Sequence, residues 1–282
     1  AFKLPNGGYY YEPVYSPMKH VKSASEVYEY EEVIESFDWP FFADEDFEDL
    51  REKTKSLYEE TDYALIGCFF GHIYAAGQQL RGFSNFMVDL IARPEIAEAI
   101  MERLVEAYKE RFMKYVEAIG DYIQVVLVND DLGMQEGPQI NPVLYRRRIK
   151  PYHKEFYRFI KENSEAYLLL HSCGAVRALI PDLIEMGVDA LNPIQVSAAG
   201  METVELKKEF GDKIVFWGGG CDTQNVLPFG TPREVDEEVK RRISDLAPHG
   251  GFVFTQVHNI QPEVPPENIA AMYSAVDRRG RY

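Results

Sequence analysis

Two stretches decide the fold: Ile123-Gln124-Val125-Val126-Leu127-Val128-Asn129-Asp130-Asp131-Leu132-Gly133 and Tyr167-Leu168-Leu169-Leu170-His171-Ser172-Cys173-Gly174. Each is a short apolar run that stops abruptly in polar residues and a glycine. Short runs without polar alternation read as strands covered on both faces. Between them, Pro142 to Asn163 carries helical spacing and opens on Asn141-Pro142, a cap followed by a proline that suits a first helical turn. A strand, a helix and another strand imply a parallel pair joined by a crossover.

Four more runs repeat the pattern: Tyr63 to Phe70, Ala190 to Pro193, Ile214 to Trp217 and Phe252 to Val257. Helical spacing recurs at Glu45 to Glu60, Pro94 to Ala118, Val176 to Met186, Met201 to Phe210, Pro232 to Leu246 and Pro266 to Val276. Parallel strands alternating with helices leave two architectures, an open doubly wound sheet or a closed barrel. No Gly-x-Gly-x-x-Gly follows the first strand and no Walker loop occurs, whereas polar residues gather at the C-terminal ends of several strands. The expected fold is therefore α/β, a (β/α)8 TIM barrel forming a single catalytic domain over residues 1–282. Residues 1–43 read as a Tyr/Pro-rich and acidic entry segment, in which Tyr9, Tyr10, Tyr11 and Tyr15 pack rings against the barrel or over its mouth. Six strands are two short of closure, so the reading expects either a missing N-terminal portion or strands hidden in the first 40 residues.

Composition bounds the partners. The 282 residues carry 30 Lys+Arg against 46 Asp+Glu, a formal net charge of -16, which disfavours nucleic acid and anionic membrane surfaces. At 46% hydrophobic residues the chain can bury a core without disulfides. No apolar run approaches the roughly 20 residues that cross a bilayer. Three cysteines, Cys68, Cys173 and Cys221, suit reduced thiols and a cytoplasmic location better than a disulfide framework.

Chemistry concentrates at the strand ends. His171 and Cys173 stand two apart as their segment leaves a strand, so both side chains face one way and can clamp a borderline-soft cation such as Zn²⁺. A third ligand is needed. His258 ranks first, with Asn259 beside it to bind substrate or orient the ring; Cys221, after three glycines, and Cys68 remain open as alternatives. Asp130 and Asp131 are adjacent carboxylates at a strand mouth, where a cation, an arginine or catalysis must offset their burial. Asn129 precedes them as a substrate-binding candidate. Gln79, Arg81 and Phe83 could reach over a pocket or equally serve a helix surface, and Gln79 is taken as a substrate-binding candidate. The run Arg146 to Arg148 is read as solvated or paired surface.

These residues resemble, in order, the signatures of the uroporphyrinogen decarboxylase superfamily: Asn129 to Gly133, His171 to Gly174, Phe229-Gly230-Thr231-Pro232 with Glu234-Val235, and Pro262 to Ile269. The resemblance is to its corrinoid-linked methyltransferase branch, which implies a (β/α)8 barrel and zinc held by a His-x-Cys pair and a distant third ligand, commonly cysteine. Here that third position is His258. The implied activity moves a methyl group between a small O-, N- or S-methyl compound and a corrinoid protein, with Asp130 or Asp131 as general acid. A histidine at the third position also resembles the metal-free decarboxylases of tetrapyrrole biosynthesis, so that activity stands as the alternative. A barrel without catalytic activity, serving as a subunit, is a third reading. The methyl donor and acceptor are open, as is the oligomeric state, a homodimer included.

Overall fold

The computed structural model describes residues 2–3, 8, 12–13, 15–30 and 44–280. Tyr9, Tyr10 and Tyr11 lie outside the described residues, and Tyr15 is exposed. In the first 40 residues the described strands are one short antiparallel ladder, Phe2–Lys3 against Glu12–Pro13, rather than parallel strands. No helix among the described residues is long and apolar enough to cross a membrane.

All six expected strands form: β1 (Ile66–Phe70), β2 (Val125–Asn129), β3 (Tyr167–His171), β4 (Ala190–Asn192), β5 (Val215–Trp217) and β6 (Phe252–Val253). The recorded pairings among them are parallel: β1 with β2, and separately β3 with β4, β4 with β5 and β5 with β6. The helices are α1 (Ala24–Tyr28), α2 (Asp44–Glu60), α3 (Ile73–Arg81), α4 (Phe83–Ala92), α5 (Pro94–Ile119), α6 (Pro142–Arg148), α7 (Lys150–Asn163), α8 (Ile180–Glu185), α9 (Thr203–Phe210), α10 (Val226–Phe229), α11 (Pro232–Leu246) and α12 (Pro266–Arg279). Three expectations need correction. Residues 73–92 are two helices that the sequence reading did not place. The long stretch from Pro142 breaks at Ile149, just before Lys150-Pro151 opens α7, because proline suits a first turn but not a helix interior. The last strand ends at Val253 instead of Val257.

The chain divides into two compact units, residues 1–130 with 143–168, and residues 131–142 with 169–282. In the first, Phe69 of β1 is 2% exposed and sits among Tyr108, Phe112 and Tyr115 of α5 and Phe156 of α7, at centroid distances of 5.3–6.3 Å. Tyr108, Phe112 and Tyr115 share one face of α5 because three- and four-residue steps return to the same side of a helix. Most of these rings meet edge to face, the arrangement that aligns a ring's positive edge with its neighbour's negative face. Arg81 does not reach over a pocket. It is 2% exposed, ion-paired to buried Asp89 (2.6 Å), and donates to the carbonyls of Met18 and Lys19.

In the second unit, Leu169, Leu170, Leu191 and Phe216 are buried, as are Leu206 of α9 and Val235, Val239 and Leu246 of α11. Thr231 starts α11 with a reciprocal cap: its side chain accepts from the Glu234 N–H, and the Glu234 carboxylate accepts from the Thr231 N–H at 2.7 Å. The Phe229-Gly230-Thr231-Pro232 signature is thus a helix start. Thr231→Ala is expected to cost about 1 kcal/mol in denaturant unfolding, with Thr231→Ser retaining most of it.

Candidate metal centre

The second unit builds its site where β3 ends. Parallel register sets His171 of β3 opposite Asn192 of β4, so their side chains emerge on the same face. His171 Nδ1 lies 2.7 Å from Asn192 Oδ1, and Asn192 Nδ2 donates to the Trp217 carbonyl at 3.1 Å. Ser172 points the other way and is buried. Its N–H donates to the Asn192 carbonyl, and its hydroxyl accepts from the Leu132 N–H. Cys173 returns to the side of His171, with Sγ 3.3 Å from His171 Nε2.

Two loops cross in direct backbone contact to hold this arrangement. The Gly133 N–H donates to the Cys173 carbonyl at 3.1 Å, and the Ala175 N–H to the Met134 carbonyl at 2.8 Å. A Cβ on Gly174, whose φ is +89°, would stand 2.4 Å from the Gly133 carbonyl carbon. A Cβ on Gly133 would stand 2.5 Å from the Cys173 carbonyl oxygen. The close approach lets Asp131 Oδ1 accept from the Cys173 N–H at 2.9 Å, while Gln195 Oε1 accepts from the Gly174 N–H at 2.8 Å.

His258 completes the cluster. The stretch after β6 is tied to the glycine run after β5, where the Gly218, Gly220 and Val257 N–H groups donate to the Val253, Thr255 and Cys221 carbonyls. The His171 and His258 rings meet edge to face at 5.4 Å. One ligand atom each from His171, Cys173 and His258 lie within 4.8 Å of one another, and all three residues are half-buried. Tetrahedral zinc with Zn–N and Zn–S bonds near 2.0–2.3 Å needs donor separations of roughly 3.3–3.6 Å for two nitrogens and one sulfur. The Cys173 Sγ to His171 Nε2 separation of 3.3 Å is close to that range, and two imidazoles with one thiol form a donor set that a zinc ion accepts.

The electrostatics suit a cation. Burial, and then the adjacent Asp131 carboxylate, hold the Cys173 thiol well above its ordinary pKa. Burial and the neighbouring His171 lower His258, against the pull of Asp131. A divalent ion reverses the penalty on the thiolate and needs His258 neutral.

The other expected site residues fall elsewhere. Cys221 is fully buried, its thiol pushed up to about 12 by burial and the charges of Glu238 and Asp222, and it is not among the three clustered residues. Cys68, in the first unit, lines an apolar cavity of about 500 Å³ with Leu50, Leu57 and Ile123. Asp130 is 1% exposed and fully employed within the first unit: its two oxygens accept from the Tyr74 and Ala75 N–H groups at 2.7 Å, capping α3, and Oδ2 also lies 2.8 Å from His153 Nε2. His153 is itself 3.1 Å from the Tyr145 hydroxyl. Asn129 and Gln79 are half-buried in the first unit, and Asn259 is exposed. Asn192, Gln195 and His153 escaped the sequence reading. Asn192 alone left a trace, as a polar residue ending an apolar run.

The model of the family described as uroporphyrinogen decarboxylase (URO-D) matches residues 20–279. The uroporphyrinogen decarboxylase of Chlorobaculum parvum is 21% identical over 205 residues, 70% of this chain and 53% of that protein. The methylcobamide:CoM methyltransferase MtaA of Methanosarcina barkeri is 26% identical over 219 residues, 77% of this chain and 58% of that protein. A solved methyltransferase from Methanosarcina mazei superposes with a TM-score of 0.64 at 19% identity, covering 82% of this chain and 64% of that one. The chain thus spans about half the length of these curated relatives.

Proposed function

The chain belongs to the uroporphyrinogen decarboxylase family, whose fold is the (β/α)8 barrel, and from that premise we propose that it is a zinc-dependent methyltransferase of a corrinoid system. The single observation that carries this reading is the convergence of His171, Cys173 and His258 within 4.8 Å. A thiol gathered with two imidazoles is a donor set that zinc accepts, and decarboxylation needs no such metal. The likeness to a methylcobamide:CoM methyltransferase supports the same branch.

In this reading His171 Nε2, Cys173 Sγ and one ring nitrogen of His258 would hold the zinc ion. When bound, the ion supplies Lewis-acid stabilisation of the heteroatom that loses or gains the methyl group. The chain's own residues prepare that site. Cys173 would bind as its thiolate, its proton being released to solvent. Asp131 holds the Cys173 backbone in place through the N–H bond at 2.9 Å, and in this reading its carboxylate is the group that takes or returns a proton at the substrate. Asp130 acts as a positioning residue rather than an acid, since both its oxygens are engaged. The methyl compound is small, and the corrinoid arrives on a separate binding protein, since its cobalt must come within bonding distance of the methyl carbon.

The second reading is decarboxylation of uroporphyrinogen. It is favoured by the relatives that carry that name and by a histidine at position 258 where the methyltransferase resemblance calls for cysteine. One experiment separates the two. Zinc-loaded protein is mixed with methylcobalamin and a panel of small thiols, and separately with uroporphyrinogen. Loss of the methyl–cobalt absorption in a zinc-dependent manner is the expected outcome. Stepwise loss of carboxylates by mass spectrometry, with no effect of zinc, would replace this proposal with the decarboxylase.

A further inference from the structure

We propose that Asn192 is a positioning residue that fixes His171 in its Nδ1–H tautomer and so aims the Nε2 lone pair at the metal position. The inference rests on the reading of this site as a metal centre. It follows from hydrogen-bond bookkeeping around one side chain.

The Asn192 amide has two unlike ends, one that only donates and one that only accepts. The Trp217 carbonyl, 3.1 Å away, can only accept, so the NH₂ end must face it. Oδ1 is therefore the end that faces His171 Nδ1 at 2.7 Å, and with no proton of its own it requires that Nδ1 donate. A neutral imidazole carries one N–H, so Nε2 is left with its lone pair. That nitrogen lies on the Cys173 side, 3.3 Å from Sγ.

Two further features hold the amide. Strand register sets Asn192 opposite His171, so the contact is fixed by backbone pairing rather than by a mobile loop. Gly218 makes room: a Cβ there would stand 3.3 Å from Asn192 Nδ2 and 3.1 Å from the Thr255 hydroxyl, at a φ of +91° that side chains rarely adopt. Without Asn192 the ring proton distributes over both nitrogens and the ring is free to turn. Metal affinity then falls, because ligand orientation must be supplied on binding; partners of this kind are worth about 10–100-fold.

The test compares the wild type with Asn192→Leu, which keeps the volume and removes both hydrogen bonds, and Asn192→Asp, which keeps the acceptor. Long-range ¹H–¹⁵N NMR on metal-free protein above pH 8 reads the His171 tautomer directly, and competition against a chromophoric chelator reads zinc affinity. The expected result is Nδ1–H in the wild type and the Asp variant, a mixed tautomer in the Leu variant, and about 10–100-fold weaker zinc binding in the Leu variant alone. Should the Leu variant not fold, Asn192→Ser takes its place, its hydroxyl being too short to reach Nδ1. A wild-type proton on Nε2 would overturn the inference, and so would Leu or Ser variants that keep both the Nδ1–H tautomer and wild-type zinc affinity. A wild type that binds no zinc sinks the metal reading, while the tautomer comparison still decides the role of Asn192.

Discussion

Cys173→Ser is expected to lower zinc affinity about a thousandfold while leaving the metal-free fold intact. Structural zinc sites gain roughly 10–16 kcal/mol over four ligands, about 2.5–4 kcal/mol for each, and each 1.4 kcal/mol is a factor of ten, so a thousandfold loss corresponds to a share at the top of that range. Cys173 should carry such a share, because among the three donors its thiolate alone brings negative charge to the ion. A serine hydroxyl keeps the hydrogen bond toward His171 Nε2 but does not ionise at neutral pH. In the metal-free protein little changes, since the thiol is held neutral by burial and by Asp131. Cys68→Ser is the control, because Cys68 lies outside the clustered residues, and it should bind zinc as the wild type does. Zinc loss in Cys68→Ser, or undiminished binding in Cys173→Ser, would mean that the donor set is wrong. Chelator competition on the three proteins decides.

Gly174→Ala is expected to be the most damaging single-atom change near the site, at about 4 kcal/mol by denaturant midpoint. Two costs add: a left-handed φ of +89° that alanine rarely adopts, and a new Cβ 2.4–2.8 Å from Gly133 and Met134 backbone atoms that cannot swing aside. Backbone separation on that scale also pulls Asp131 from the Cys173 N–H, so zinc affinity should fall with stability. Gly137→Ala makes the comparison fair, because a Cβ there meets nothing within 4 Å. It should stay within about 0.5 kcal/mol of the wild type. Equal stabilities for the two variants would remove the loop crossing from the explanation of this site.

The six strands were legible because each is a dense apolar run that a single core-facing element must bury, and such runs survive without any tertiary information. Helices α3 and α4 were not. Gly77 interrupts the helical pattern, and its purpose appears only in three dimensions, where a Cβ at that position would stand 2.5 Å from the Phe86 ring. The overextension of β6 to Val257 has the opposite cause. Phe252 to Val257 is apolar enough for a strand, but the chain departs from strand pairing at Val253 to meet the glycine run at 218–220, a partner that sequence spacing does not reveal.

At the site, the pairing of His171 with Cys173 could be read from alternation alone, since side chains two apart share a face. Two adjacent carboxylates look alike in a sequence, yet Asp130 caps α3 and meets His153 whereas Asp131 holds the Cys173 N–H. Which carboxylate serves which loop depends on backbone direction after β2. Asn192 was hidden for a related reason: its role comes from strand register, a property of two segments rather than one.

The central claim is that this cluster binds zinc through His171, Cys173 and His258. The most direct test is a crystal of protein never exposed to chelator, with anomalous diffraction recorded on both sides of the zinc absorption edge. The account requires one peak within about 2.0–2.3 Å of one ring nitrogen from each histidine and of Cys173 Sγ, with a fourth position held by water or a small molecule. No peak at that position in zinc-soaked crystals, or a peak ligated by other residues, would contradict it.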